Sequence, residues 1–127
     1  MEDYPSHRVL GSSFLSLLTA GFAAWRGLYG CATLVFIVFV TSVCYWWNPV
    51  KGARRNVDIA AVTTCLAYQS CVSFRSSTQT GYFLCIAVGL SAYAASRRAT
   101  DVDTASMLHV FLHVMGNAAN VVLYVGL

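Results

Sequence analysis

Long stretches without a single charged side chain dominate the sequence, and they limit what it can fold into. They run over 9–25, 27–50, 59–74, 76–96 and 104–127. A helix crossing the hydrocarbon core of a bilayer takes about 20 mostly apolar residues, within a range of about 17–25. The second, fourth and fifth runs reach that length unaided. The third reaches it with Asp58 and Arg75 at its ends. The first is short and carries Gly11, Ser12, Ser13, Ser16, Thr19 and Gly21, so it either spans or lies in the interface. Of the 127 residues, 57% are apolar and 10% charged, against about 25% charged in soluble domains. A soluble core could not absorb this surface without leaving large exposed patches. The expected fold class is all-α, a polytopic transmembrane helical bundle of five spans, or four if the first lies flat. A single domain, 1–127, holds spans at about 9–25, 27–47, 57–74, 79–96 and 105–127.

Charge placement favours five. Positively charged loops stay on the cytoplasmic or equivalent side. With five spans, one side holds Arg8, Lys51, Arg54, Arg55, Arg97 and Arg98, and the other only Arg26 and Arg75. With four spans Arg8 changes sides and the bias weakens. Tyr45-Trp46-Trp47 forms an aromatic anchor at the interface. Asn48-Pro49 then stops the helix, because a residue before proline avoids the α region. Thr100 or Asp103 is expected to cap the last helix, where an acidic pair, Asp101 and Asp103, suits the positive end of the helix dipole.

Several functions drop out at this stage. The net charge of +3 comes from short basic clusters between apolar runs and not from one basic face, so no nucleic acid is expected as a partner. Cys31, Cys44, Cys65, Cys71 and Cys85 form no CxxC pair and no zinc-ribbon spacing. All lie in apolar runs and are expected to behave as small buried hydrophobes. The opening residues mix Glu2 and Asp3 with Arg8, which suits neither a secretory signal nor a transit peptide. Any organellar address would then be internal or removed before residue 1.

Polar groups inside a membrane are costly and face a partner or a cavity. In the last span His109, His113, Asn117, Asn120 and Tyr124 follow one another at steps of four, four, three and four. Residues three and four apart share a helix face, so these five form one polar stripe that must face protein, water or a ligand. Two histidines at i and i+4 can share one zinc; the stripe can equally be a hydrogen-bonded seam against another helix. A bis-histidine haem is disfavoured, since both rings leave the same helix face, while a single axial histidine to haem or chlorophyll stays open. Asp58 is open to three readings: a ligand or general base, a partner of Arg54 or Arg55, or a charge on a helix N-terminus. Cys65 and Gln69 extend its face towards the histidine stripe. Ser42, four residues before Trp46, would by itself be a packing or backbone-bonding residue.

Taken in order, Ser42, Trp46, Asp58, His109 and His113 resemble the pattern of the alkaline ceramidase and adiponectin-receptor (CREST) superfamily of membrane hydrolases. Those are seven-helix proteins with a buried zinc. Their pattern is a Ser followed four residues later by a His at one helix end, an Asp early in the next helix, and an HxxxH in the last. Ser42-Val43-Cys44-Tyr45-Trp46 takes the first place, Asp58 the second after a basic turn, and His109-Val110-Phe111-Leu112-His113 the third. The resemblance implies zinc held by His109, His113 and Asp58, a metal-activated water as nucleophile, Asp58 or Ser42 as catalytic orienting groups, and a lipid amide or ester as substrate. Two departures stand against that chemistry. Trp46 replaces the first histidine, and an indole N–H is a donor that binds no metal. The chain is also two helices short. The implied relationship is therefore a shortened, degenerate member that kept the polar seam and lost the reaction.

The leading functional expectation is a non-catalytic small integral membrane protein. It would be a helical subunit packed among other membrane protein subunits and lipids in an energy-converting or biogenic membrane, whether an organellar inner, thylakoid-type or endoplasmic reticulum membrane. Gly27, Gly30, Ala32, Gly81, Gly89, Ala92, Ala94 and Ala95 would allow close helix approach. No cofactor is expected on this reading, zinc being the first alternative. The competing functions are the zinc-dependent lipid hydrolase and a small channel or carrier, which would need a homo-oligomer.

Overall fold

The computed structural model describes residues 7–47 and 52–127. Among the described residues the secondary structure is entirely helical. Helix α1 covers His7–Ser12, α2 Leu15–Trp25, α3 Tyr29–Trp47, α4 Ala53–Val72, α5 Gln79–Arg98 and α6 Val102–Val125, with a 3₁₀ turn at Ser73–Arg75 closing α4. The expected stop at Asn48-Pro49, together with Lys51, Glu2 and Asp3, lies outside the described residues.

Three helices are long and apolar enough to cross a membrane: Tyr29–Trp47, α4 extended to Arg75, and Val102–Val125. The fourth run forms α5, as long as α4, but Gln79 and Thr80 at one end and Arg97-Arg98 at the other dilute its apolar character. The first run is broken. Its two helices are 6 and 11 residues long, and at 1.5 Å per residue neither alone crosses about 30 Å of hydrocarbon, so a first span takes both. The break has a local cause. The hydroxyls of Ser12 and Ser13 both donate to the carbonyl of Val9, at 2.9 and 3.1 Å. Such bonds compete with the helix ladder and bend it. The backbone tightens accordingly, with Phe14 N–H bonding Gly11 and Leu17 N–H bonding Phe14.

The helices run up and down. One end gathers the start of α1 and the start of α6, where Arg8 lies 3.3 Å from Asp103. The other gathers the end of α2, the turn before α5 and the end of α6. There Arg26 donates to the carbonyls of Tyr124 and Leu127, and Ser76, Ser77 and Thr78 donate to those of Leu123, Gly126 and Val122. A helix leaves its last four carbonyls without partners, and in α6 side chains take up three of them, those of Val122, Leu123 and Tyr124. Gly27, at φ +76°, turns the chain out of α2. Gly89 lets α5 approach Leu112 and Met115 of α6, where an added Cβ would already be in contact at 3.4 Å.

Two expectations are corrected. The N-cap of α6 is Asp101, neither Thr100 nor Asp103. Its carboxylate accepts from the backbone N–H and the hydroxyl of Thr104, each at 3.0 Å, because Asp101 has the extended backbone a cap requires. The cysteines are not uniformly buried: Cys31 and Cys65 are, whereas Cys44 and Cys71 are exposed, facing away from the bundle axis.

Helix α4 packs against α3, and α5 against α6, while α1 and α2 bridge α3 and α6. Between α4 and α5 the principal links lie at one end. Ser70 and Tyr82 share a hydrogen bond of 3.1 Å, and the 3₁₀ turn touches both helices. The best-packed core sits at this same end, around Ala23, Tyr82, Ala119, Leu123 and Tyr124. Away from it the two helices diverge.

Candidate functional site

The divergence of α4 from α5 leaves a cavity of about 370 Å³, within the range of small-molecule pockets. It is walled by α3, α4 and α5 and floored by α6. The expected site residues gather here: Ser42, Asp58, His109, His113, Asn117 and Asn120 all line it, as does Trp46. Tyr124 lies just beyond, fully buried, and accepts a 2.8 Å hydrogen bond from the lining Gln69.

Most of these groups are committed to neighbouring helices. Asp58 Oδ1 accepts from the hydroxyls of Thr41 and Ser42, both at 2.9 Å, which joins α4 to α3. The Nδ1 of His113 lies 2.6 Å from the hydroxyl of Ser12. The amide oxygen of Asn117 accepts from Thr19 at 2.7 Å, and its nitrogen donates to the carbonyl of His113. The stripe on α6 therefore holds the broken first run through two side-chain bonds. His109 is set among rings: Trp46 at 4.9 Å, Tyr93 at 5.9 Å and His113 at 4.9 Å, each edge-on.

The residues present do not match a zinc site. Catalytic zinc takes three protein ligands and structural zinc four. Among the described residues no three His, Cys, Asp or Glu side chains come together to hold a metal, and Asp58 makes no hydrogen bond to either imidazole. Trp46 packs against His109 in an edge-to-face arrangement, ring centroids 4.9 Å apart.

Several residues of the site carried no clear signal in the sequence. Thr41 is one of many membrane threonines, and only the turn of α3 shows that it shares Asp58 with Ser42. Ser12 closes α1 and Thr19 lies in α2. They were visible as polar marks on the first run but not as partners of a helix about a hundred residues away. Arg55, in the first turn of α4, and Tyr93 and Arg97, near the end of α5, also line the cavity.

Comparison with known protein families, with curated proteins and with solved structures returned no match.

Proposed function

We propose that this chain is a five-span, non-catalytic membrane protein that works by receiving a hydrophobic partner in the side-open cleft between α4 and α5. The observation that carries this reading is the state of the polar groups. Asp58 is engaged by two hydroxyls, His113 by Ser12 and Asn117 by Thr19. These pairs act as latches between helices, and a latch that already holds its proton donors and acceptors is poorly placed to activate a substrate. The cleft itself stays open at the side: Ile59, Val62 and Leu90 line it and are 47%, 44% and 49% exposed. In a bilayer such a gap is filled by lipid or by another helix.

A subunit of a larger membrane complex is one form of this reading, with a helix of that complex as the occupant. Descent from the ceramidase and adiponectin-receptor superfamily is supported by one feature: the four matched positions, Ser42, Asp58, His109 and His113, scattered over the sequence, line a single cavity together with the departing Trp46. The two-ligand histidine pair supports a descendant without the reaction.

Metal analysis of the protein purified without chelator, paired with the double change His109→Ala, His113→Ala, tests the proposal. Zinc far below one per chain is expected, with the double variant losing thermal stability in detergent because α6 no longer holds the first run. One zinc per chain, lost in the variant together with lipid hydrolysis while the fold survives, would overturn it.

A further inference from the structure

One polar atom of the cleft is left without provision. Among the described residues the amide oxygen of Gln69 is the single buried side-chain oxygen or nitrogen that has no hydrogen-bond partner, and the residue is 1% exposed. Leaving such an atom unpaired is costly, and its survival in a folded protein calls for a reason. Gln69 lines the cleft. Its amide nitrogen is spent on Tyr124, beyond the cavity, so the oxygen is the end left to the cavity. Asn120 lines the cleft as well. It lies one turn before Tyr124 on the same face of α6, and so beside Gln69, and its amide both donates and accepts. From Arg55, in the first turn of α4, Gln69 is fourteen residues along the chain, about 21 Å at 1.5 Å per residue. That is deeper than one leaflet of a hydrocarbon core about 30 Å thick. Past Gln69 the packed core of Tyr82, Leu123 and Tyr124 closes the bundle.

Resting on the binding reading above, we propose that the cleft binds a neutral single-chain lipid bearing a hydroxyl group. The hydroxyl donates to the amide oxygen of Gln69 and meets the amide of Asn120, and the chain leaves sideways between α4 and α5. Three features choose this occupant. The unpaired atom is an acceptor, so the ligand needs an O–H or N–H, and the acyl chains of ordinary phospholipids carry none at this depth. Gln69 and Asn120 are uncharged, and an ion brought to them would lose its hydration without gaining a counter-charge from either. The cavity holds about 370 Å³, whereas a single turn of helix, 5.4 Å long and about 10 Å across, fills about 420 Å³. A slim chain with a small head enters where a helix does not. The way out is apolar: Ile59, Val62 and Leu90 line the cleft and are exposed at its side. Water alone would satisfy the oxygen, but these walls offer it no further partners.

Octadecanol carrying a diazirine at mid-chain, set against its methyl ether, tests the donor, because the two share a chain and only the alcohol has a proton to give. The full chain, reconstituted in phosphatidylcholine vesicles, is titrated with either probe and illuminated, and labelling is mapped by peptide mass spectrometry. Leu84, 63% exposed and outside the cleft lining, reports the background that each probe gives from the bilayer. Above that background, labelling within 59–66 and 86–93 is expected to half-saturate at about a tenfold lower mole fraction of the alcohol, the gain of one hydrogen bond to a stranded acceptor. Gln69→Leu should abolish the preference. Tyr124→Phe breaks the same internal hydrogen bond but keeps the amide, so it should preserve the preference. Equal half-saturation by both probes, a preference that survives Gln69→Leu, or one lost equally in Tyr124→Phe overturns the hydroxyl site but leaves a cleft that takes lipid. Labelling of the cleft no higher than at Leu84 with either probe overturns the site and the lipid form of the binding reading together, in favour of water or a protein occupant.

Discussion

Tyr124→Phe isolates the one buried polar contact whose loss leaves a group with almost nothing to bond. Gln69 and Tyr124 are 1% and 0% exposed. The Gln69 amide nitrogen donates to the Tyr124 hydroxyl at 2.8 Å, and its second contact is the distant sulfur of Cys65, at 3.8 Å. Its amide oxygen already lacks a partner. Removing the hydroxyl strands both ends of the amide. An unsatisfied buried polar group costs about 1–3 kcal/mol. Hydrogen bonds between membrane helices are worth less, about 0.6 kcal/mol on average and about 1.7 at most, because the unfolded chain in the membrane finds other partners. Gln69 is enclosed by protein and has no spare partner, so the cost should fall near the upper membrane value, about 1–2 kcal/mol. Gln69→Leu in the Tyr124→Phe background removes both stranded ends and should recover about 1 kcal/mol. The assay is unfolding in mixed micelles titrated with dodecyl sulfate, followed by circular dichroism. A Tyr124→Phe protein within about 0.5 kcal/mol of wild type, or a double variant whose loss is the sum of the two single losses, would refute the assignment.

Two further perturbations address the latches and the cap. Ser12→Ala removes the partner of His113 and should cost about 0.6–1.7 kcal/mol, with cleavage by protease at the 13–14 break becoming faster; unchanged stability and cleavage would mean that this bond does not hold the first run. Thr104 holds the Asp101 carboxyl below the usual carboxylate range through its backbone N–H and its hydroxyl. The ionised cap therefore stabilises the fold above about pH 4, the ordinary aspartate value, and that contribution is lost as pH falls through the lower folded value. Asp101→Ala should lower the melting temperature at neutral pH, with the difference from wild type shrinking in acid, while Asp101→Asn, an equally good cap, should stay near wild type at neutral pH. A difference independent of pH would contradict this.

The helices were legible because charge-free runs and span length leave few alternatives, and α3, α4 and α6 follow the runs closely. The break in the first run was half legible. Its serines marked a weak span, but the kink depends on both hydroxyls reaching one carbonyl, which spacing does not specify. The stripe on α6 was legible as a stripe, since helical periodicity fixes which residues share a face. Its partners were not. Ser12 and Thr19 meet it through tertiary packing across about a hundred residues, and no local pattern encodes that distance. The cap shifted by one or two positions because Thr100, Asp101 and Asp103 are all competent cap residues, and backbone conformation chose between them.

The clasp of Arg26 on the carbonyls of Tyr124 and Leu127, with Arg8 beside Asp103 and Ser12 on His113, ties the first helical stretch to the last. During synthesis the opening segment must wait until the final helix has emerged before any of these bonds can form. Until then it is short and bent. Closing a loop of that size comes late and slows folding. A chain halted before α6 would lack these ties and would hold its first segment through packing against α3 alone.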